Sequence, residues 1–242
     1  ELDKWALYRL NLLTRRIRSA YDRYEFHTIY HSATNFCIND MSAVYLDILK
    51  DRLYCSAANE PLRKTAQSTI YIIVKSLLEL LAPVLSFTAD EAWQFLPGQK
   101  PESIHLASLP AENAAFDNQE LAQKWAILLS VREKVLKQLE EARANKEIGN
   151  ALEAAVTITA APDLLKFLGK YAGQLADIFI VSDVSFAEKE GRPDTPLSEE
   201  AEAVDVTVAQ AGGAKCQRCW KYFQPAADGQ ETCIRCSTAI KA

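Results

Sequence analysis

The sequence of 242 residues contains no apolar run approaching the roughly 18 to 20 residues that a membrane-spanning helix needs. Its most apolar stretch, residues 70–87, is interrupted by Lys75, Glu79 and Pro83. A secretory signal peptide is also missing, because no basic region followed by an apolar one stands at the N-terminus. We therefore expect no membrane association and a cytoplasmic location. The first residue is not Met and the only Met is Met41, which favours a piece of a longer chain.

Sequence signals of catalysis are also scarce. The chain has no Gly-rich phosphate-binding loop, no nucleophile elbow and no pair of candidate catalytic carboxylates. His27 and His31 stand four residues apart, a spacing that permits metal ligation on one helix, but ordinary surface or partly buried histidines are the preferred interpretation. The sequence therefore predicts no catalytic residue.

A general excess of positive charge is missing too. The formal net charge of −5 argues against a protein that binds nucleic acid over its whole surface. The charge is unevenly distributed, however: residues 1–23 have six basic against three acidic side chains, residues 187–213 two against seven, and residues 214–242 five against two. A polyanion, if one is bound, is expected to contact the two basic ends.

Apolar residues at spacings of three and four predict that residues 1–149 form a helical domain. Asp40 is a good N-terminal signal for the third helix, Pro61 suits the first turn of the fourth, and Thr88 with Glu91 has the spacing of a capping box for the fifth. The other predicted helices cover residues 3–24, 26–37 and about 117–146.

The pattern changes after Gly149, where shorter elements follow one another. Residues 155–159 read as a strand, 162–171 as a helix and 178–186 as a strand, which predicts a small α/β unit over residues 150–187. Residues 188–213 are rich in acidic residues, Pro and Gly, and are expected to form an acidic linker with at most one short strand, at 204–208. Residues 214–242 remain as a separate tail.

Four of the six cysteines lie in that tail, at Cys216, Cys219, Cys233 and Cys236. Two C-x2-C pairs separated by thirteen residues offer four soft sulfur ligands, the tetrahedral set that zinc prefers. The tail has almost no aliphatic core, so a structural metal is the natural source of its stability. Two disulfides or a redox dithiol are the alternatives. Four thiolates leave no open position, so the sequence predicts one structural zinc ion and no catalytic one.

Other polar and thiol side chains of the predicted second and third helices are expected to serve structure. Cys37 and Cys55 lie on or beside apolar stripes and are predicted to be buried, inert thiols. A charged edge on the predicted third helix is expected to form ion pairs within or between helices. It consists of Asp40, Asp47, Lys50, Asp51 and Arg52.

Basic side chains near aromatic ones are the candidates for contact with RNA. In the tail, Arg218, Lys221 and Arg235 lie close in sequence to Trp220, a combination that could hold a phosphate backbone and stack an unpaired base. The alternative is that Trp220 merely packs over the cysteine pair. On the first helix, Arg15 and Arg16 belong to a cluster that is either a solvated face or a phosphate-contacting face.

Several segments along the chain carry a resemblance to a known family, among them the following three. Residues 36–55, FCINDMSAVYLDILKDRLYC, closely resemble the anticodon-binding helical domain of bacterial isoleucyl-tRNA synthetases. Residues 81–93, LAPVLSFTADEAW, are similar in style to several class I synthetases. The ending, with KCQRCW at 215–220 and CIRC at 233–236, resembles the terminal zinc module of the same family.

The resemblance implies a mainly α fold: a class I synthetase anticodon-binding helical bundle, then a small α/β unit and a four-Cys zinc knuckle module. It implies the C-terminal fragment of a ligase that activates isoleucine with ATP and charges its tRNA. The His-Ile-Gly-His and Lys-Met-Ser-Lys-Ser signatures of the family are absent, so this chain is expected neither to bind ATP nor to catalyse.

The resemblance also implies partners: isoleucine tRNA and the catalytic and editing domains of the same enzyme, in a monomeric protein. The family's metal ligands correspond to Cys216, Cys219, Cys233 and Cys236, and Trp220 follows the second ligand as in the family. Two other interpretations remain open from the residues themselves. One is a stand-alone, zinc-containing RNA-binding adaptor, and the other is a purely structural helical module.

Overall fold

The computed structural model describes residues 1–190, 195–226 and 229–241. The chain divides into two compact units, each built from two stretches of sequence. The first unit consists of Glu1–Leu49 and Glu60–Ala122, and the second of Lys50–Asn59 and Gln123–Ala242. None of the helices in the described ranges combines the length and the apolar character that crossing a bilayer requires.

The first unit is helical. It contains α1 (Leu2–Asp22), α2 (Phe26–Asn35), a π-helix (Phe36–Leu46), α4 (Pro61–Leu81) and α5 (Ser86–Gln94), while α3 (Asp47–Cys55) begins in this unit and ends in the second. The apolar face of α1 is buried, as the spacing of its large side chains predicts. Tyr45 of the π-helix is fully buried and donates a hydrogen bond to Asp3 of α1 over 2.9 Å. The helical core of this unit therefore includes a buried polar contact.

The second unit combines helices with two small sheets. In chain order its elements are most of α6 (Gln119–Ala144), then β1 (Ala154–Ala160), α7 (Pro162–Gly169), α8 (Ala172–Ile178), β2 (Asp183–Glu188), α9 (Leu197–Glu202), β3 (Asp205–Gln210), β4 (Ala214–Lys215), β5 (Tyr222–Phe223) and α10 (Ile234–Lys241). The larger sheet has the order β2-β1-β3, with β1 parallel to β2 and antiparallel to β3. Strands β4 and β5 form an antiparallel pair.

One buried arginine joins two elements of this second unit. Arg132 of α6 is only 4% exposed and donates a hydrogen bond from Nε to the carbonyl of Ile178, over 2.9 Å. Ile178 is the last residue of α8, where carbonyl groups have no partner within the helix. Arg132 thus satisfies a helix end while its own charged group is taken out of solvent.

The predicted mainly α fold class, with a small α/β part and a cysteine cluster, is confirmed. The predicted start at Pro61 is also found, with Pro in the first turn of α4. Two local predictions were wrong. The chain does not break between a second and a third helix near Asp40, because the π-helix connects α2 to α3 and the Asp40 carboxylate pairs with Arg9 instead of capping a helix. Helix α5 begins at Ser86, before the expected capping box at Thr88.

The segment after α7 also differs from the sequence prediction. Residues 178–186 were expected to form one strand, but α8 occupies residues up to Ile178 and β2 starts only at Asp183. The expected strand near 204–208 is found as β3, where it pairs along β1. The described part of the expected acidic linker also contains α9, while residues 191–194 of it lie outside the described residues. The predicted boundaries at residues 149, 187 and 213 stay predictions.

Candidate metal centre and RNA-contact residues

The four cysteines of the tail are brought together in space. The Sγ atoms of Cys216, Cys219, Cys233 and Cys236 all lie within 4.8 Å of one another, and those of Cys219 and Cys233 are 3.9 Å apart. Four sulfurs around one zinc ion at about 2.3 Å would be separated by about 3.8 Å. Because the described sulfur positions are close to that spacing, the four cysteines form a group that could hold one metal ion.

The local backbone explains how two distant C-x2-C pairs meet. Trp220 donates its backbone N–H to the carbonyl of Cys216 over 2.9 Å, which closes a tight turn around the first pair. Cys216 donates to the carbonyl of Lys221, and strands β4 and β5 continue the hairpin on either side. The second pair begins where α10 starts, and the backbone N–H of Cys233 points at the Sγ of Cys216 over 3.4 Å.

A glycine is required beside this hairpin. Gly213, next to β4, has a φ of +97°, and a Cβ built there would lie 2.2 Å from the carbonyl oxygen of Phe223. A side chain at this position would therefore both strain the backbone and push the two strands apart.

The electrostatic environment of the sulfurs is uneven. Burial opposes ionisation of the Cys216 thiol, but backbone N–H groups directed at its sulfur from Cys219, Cys233 and Arg218 outweigh it and lower its pKa to about 6. Burial raises the pKa of Cys219 and of Cys236. Cys216 is therefore better prepared than Cys219 or Cys236 to be a thiolate, the form in which cysteine binds metals.

A fifth cysteine lies beside this group without belonging to it. Cys55, at the end of α3, is buried and packs against Cys216, Cys219 and Cys236. Burial raises the pKa of the Cys55 thiol to about 11, helped by the negative charge of Asp51. The sequence prediction of a buried thiol at Cys55 agrees with this, whereas Cys37 is only half-buried.

The side chain of Arg218 makes its hydrogen bonds within the second unit. Its guanidinium group donates hydrogen bonds to the backbone carbonyls of Cys55 at 2.9 Å, and of Tyr54 and Cys236 at 3.5 Å. Tyr54 and Cys55 are the last residues of α3, whose carbonyls need donors from outside the helix. Arg218 therefore fastens the cysteine turn to the end of α3.

Arg235 makes the second link between the tail and α3. It forms a two-pronged ion pair with Asp51, in which Nη2 lies 2.7 Å from Oδ1 and Nη1 contacts Oδ2. Burial alone would raise the pKa of Asp51, but the hydrogen bond and charge of Arg235 outweigh it and hold that pKa below its ordinary value. The expectation that the charged edge of the third helix forms ion pairs is met by Asp51, as it is by Asp40 with Arg9 at 3.0 Å.

We expect Asp51→Asn to lower the free energy of unfolding of the metal-loaded chain by about 1 kcal/mol at pH 7. The two-pronged geometry strengthens the pair, but the Arg235 side chain is 44% exposed, so solvent screens it. Because the pKa of Asp51 is depressed in the fold, the stabilisation is present above its unfolded pKa of about 3.9 and is lost as the pH falls through the folded value. Urea unfolding at pH 7 and at successively lower pH toward pH 3 measures this, with the zinc content determined at each pH because acid protonates the thiolates and releases the metal.

The matched control is Arg143→Ala, which removes the more exposed ion pair of Arg143 with Glu140 on α6. We expect no measurable change there. Equal effects of the two variants, or a gap between Asp51→Asn and the unsubstituted chain that persists at the acid end, would contradict the role given to Asp51.

Lys221 and Trp220 have opposite surroundings. Lys221 forms an ion pair with Asp177 of α8, and its side chain is only 15% exposed. Trp220 is 60% exposed and has a φ of +64°, a left-handed conformation that is unusual for any residue other than glycine. Of the four tail residues predicted to contact RNA, Trp220 is thus the one whose side chain points mostly to solvent, whereas the three basic ones are engaged within the unit.

The two arginines of α1 that the sequence singles out as candidates for RNA contact, Arg15 and Arg16, also differ in their contacts. Arg15 donates from Nε to Glu112 over 2.7 Å and lies 3.5 Å from Asp117. Arg16, its neighbour in sequence, is exposed and has no ion-pair partner in the described part of the chain. It lines a polar cleft of the first unit together with Arg9, Asn35 and Asp40. The sequence indicated the cluster of arginines but not which of them would remain available.

Comparison with known proteins places these features in a family. Residues 3–158 match the family model described as the anticodon-binding domain of tRNA ligase. The whole chain is 45% identical to the isoleucine–tRNA ligase of Geobacter sulfurreducens, 42% to that of Moorella thermoacetica and 40% to that of Natranaerobius thermophilus. It spans only 26% to 27% of the length of these three relatives. The family match covers α1 to α6 and reaches into β1, and on that ground the chain belongs to the family of anticodon-binding domains of tRNA ligases.

Proposed function

We propose that this chain is the C-terminal, tRNA-recognising part of an isoleucine–tRNA ligase. The observation that carries the proposal is the similarity to isoleucine–tRNA ligases over the full length of the chain, through the cysteine tail as well as the helical domain. Its partners are then isoleucine tRNA and the catalytic and editing parts of the same enzyme. We further propose that it acts in the cytoplasm as part of a monomeric enzyme.

The metal of the tail is proposed to be a single zinc ion held by Cys216, Cys219, Cys233 and Cys236. Four converging sulfurs form a closed, soft ligand set, which suits a structural zinc site and leaves no position for a substrate. The ion supplies folding free energy and no chemistry. Around it, Arg218 and Arg235 join the cysteine segment to α3, so that the turn that carries Trp220 is held on a fixed support.

Recognition of tRNA is proposed to use the exposed ring of Trp220 for stacking on an unpaired base. Stacking of a base on an aromatic side chain contributes about 1 to 3 kcal/mol. Arg16, which lacks an internal ion pair in the described residues, is proposed to contact phosphate. Arg15, Arg218, Lys221 and Arg235 stay weaker candidates, because each would have to share its charge between RNA and an internal partner.

The test is binding of the zinc-loaded chain to isoleucine tRNA in competition with valine tRNA, measured at two salt concentrations. Phosphate contacts weaken with salt equally for every tRNA, whereas contacts to bases preserve a ratio between tRNAs. We expect a preference of at least about fivefold for isoleucine tRNA, equivalent to the about 1 kcal/mol of one good base contact. Equal affinities at both salt concentrations would contradict the proposal.

The chemistry of aminoacylation is proposed to reside in the rest of the ligase. We therefore expect the chain by itself to show no isoleucine-dependent exchange of pyrophosphate into ATP. Exchange at a rate that follows the concentration of this chain through purification would overturn that assignment.

A second candidate function is favoured by the internal pairing of the three basic side chains of the tail. In that case the cysteine segment only stabilises the fold, and Trp220 makes no contact with RNA. Removal of the Trp220 ring would then leave every tRNA bound as before.

A further inference from the structure

The group of four cysteines is supported from outside the tail by the C-terminal end of α3. This end lies within Lys50–Asn59, the segment that belongs to the second unit together with the tail. Three kinds of contact join it to the cysteine segment: an ion pair, hydrogen bonds to backbone carbonyls, and the packing of Cys55 against three of the four cysteines. Residues that hold metal ligands from outside influence how tightly the metal binds.

Arg235 lies between α3 and one of the sulfurs. Both terminal nitrogens of its guanidinium group contact the Asp51 carboxylate, with Nη2 at 2.7 Å from Oδ1. Hydrogen bonds to Asp51 first, and then to the Cys219 sulfur, raise the pKa of Arg235. Because the same guanidinium group interacts with a carboxylate and with a metal-ligand sulfur, Asp51 holds Cys219 in position without touching it.

Arg218 attaches the first cysteine pair to the same helix end. Its guanidinium group donates to the carbonyl of Cys55 at 2.9 Å and to that of Tyr54 at 3.5 Å. The last four carbonyls of a helix have no partner within it, so these two need a donor from elsewhere in the chain. The dependence is mutual, since the end of α3 is capped by the cysteine turn and the cysteine turn is held by the end of α3.

The contacts with α3 require a formed cysteine turn. In the described part of the tail the buried residues are Cys216, Cys219 and Cys236, so a metal is the main source of order there. We therefore expect the contacts with α3 to exist in the metal-loaded chain and to be lost in the metal-free one. An interaction made in only one of two states is coupled to the equilibrium between them, and the coupling acts in both directions.

We propose that Asp51 is a positioning residue of the metal site, and that metal binding is coupled to the order of residues 50–59. Asp51 holds Arg235, and Arg235 and Arg218 hold the cysteine segment on α3. The metal-loaded segment in turn caps the end of α3. The inference rests on the zinc ion of the proposed function and does not depend on the recognition of tRNA.

The zinc affinity of Asp51→Asn, measured by competition with a chromogenic chelator, tests the first direction. We expect an affinity about fivefold weaker than that of the unsubstituted chain, because a two-pronged but partly exposed ion pair is lost from the loaded form only. A carboxylate that acted by its charge alone would disfavour thiolates, so its removal would strengthen zinc binding. Unchanged or stronger binding would overturn the proposal.

Glu140→Gln is the matched control. It makes the same change from carboxylate to amide in the second unit and breaks an exposed ion pair with Arg143. It should leave the zinc affinity unchanged. In a chain that already carries Arg235→Gln, Asp51→Asn should cause no further loss, since its effect passes through Arg235. A further loss of about fivefold in that background would contradict the role given to Asp51.

Amide hydrogen exchange with and without zinc tests the reverse direction. After removal of zinc by a chelator, we expect exchange within residues 50–59 to become about tenfold faster or more, because the capping contacts are lost. The amides of β1, which is paired with β2 and β3, should keep their protection. Faster exchange in the tail alone would overturn the coupling. Equally faster exchange in β1 would do so too, since the whole second unit would then be unfolding.

The zinc content of the unsubstituted chain separates failure of this inference from failure of the metal proposal. One equivalent of zinc, bound as tightly by Asp51→Asn as by the unsubstituted chain, would refute the positioning role and leave the zinc site standing. Absence of stoichiometric zinc from the unsubstituted chain would refute both.

Discussion

Cys219→Ser is expected to abolish stoichiometric zinc binding and to unfold the tail around it. The four sulfurs lie within 4.8 Å of one another, and in the described part of the tail the three buried residues, Cys216, Cys219 and Cys236, are all cysteines of that group. Without an aliphatic core, the free energy of metal binding is the free energy of folding. That contribution is about 10 to 16 kcal/mol for small structural zinc sites, far more than the replaced side chain contributes by packing.

Metal content and protease resistance measure this result together. We expect about one zinc per chain before the substitution and almost none after it, together with rapid cleavage between Lys215 and Lys241. Cleavage should start in the tail, because Arg218 and Arg235 hold it to α3 only when the cysteine turn is formed. The first unit, with its own helical core, should keep its helical circular dichroism.

Cys37→Ser is the matched control. Like Cys219→Ser, it replaces a sulfur atom with an oxygen atom. The replaced side chain is at a half-buried position of the π-helix, outside the cysteine group. Zinc content and the resistance of the tail should both be unchanged. If Cys219→Ser retained a full equivalent of zinc with a protected tail, the four-sulfur site would be refuted.

Trp220→Gly is expected to weaken binding of isoleucine tRNA about tenfold while the tail becomes slightly more stable. The two effects have separate causes. A left-handed backbone costs a residue other than glycine about 1 to 2 kcal/mol, and Trp220, at a φ of +64° and 60% exposed, recovers little of that by burial. Loss of the ring removes a stacking surface that is equivalent to about 1 to 3 kcal/mol per base.

Because tRNA affinity is expected to fall while the stability of the tail rises, the experiment distinguishes a role of Trp220 in binding from a role in packing. A residue whose only role is to pack over the metal site would lose stability when the ring is removed and would leave tRNA affinity unchanged. Trp220→Phe should restore most of the affinity, because a phenyl ring also stacks. Phe95→Ala, at another strongly exposed aromatic side chain, controls for the loss of surface apolar area. A tenfold loss in this control as well would remove the specific role of Trp220.

The internal contacts of the basic tail residues explain why composition was an incomplete guide to binding. Arg218, Lys221 and Arg235 look equivalent in the sequence, since each is a positive charge close to a cysteine or an aromatic residue. In the fold they reach three different partners: the carbonyls at the end of α3, the carboxylate of Asp177 and the carboxylate of Asp51. Their charges therefore fix the position of the cysteine turn.

Short-range patterns account for the part of the structure that the sequence determined by itself. The helical periodicity, the proline that starts α4 and the paired C-x2-C spacing act within a few residues, so they can be read without knowledge of the fold. The resemblance carried by residues 36–55 likewise agrees with the family match over residues 3–158. These signals determined the mainly α class, the four converging cysteines and the family.

Only the tertiary structure decided which side chains remain available to a ligand. Asp51 and Arg235 are 184 positions apart, and Arg218 reaches the carbonyl of Cys55 across 163 positions. Ser32 of α2 and Arg9 of α1 line one cleft with Asp40, which belongs to a π-helix that no local signal indicated. Pairing at such separations depends on how helices pack, and it is this packing that buried some charges and left Trp220 and Arg16 exposed.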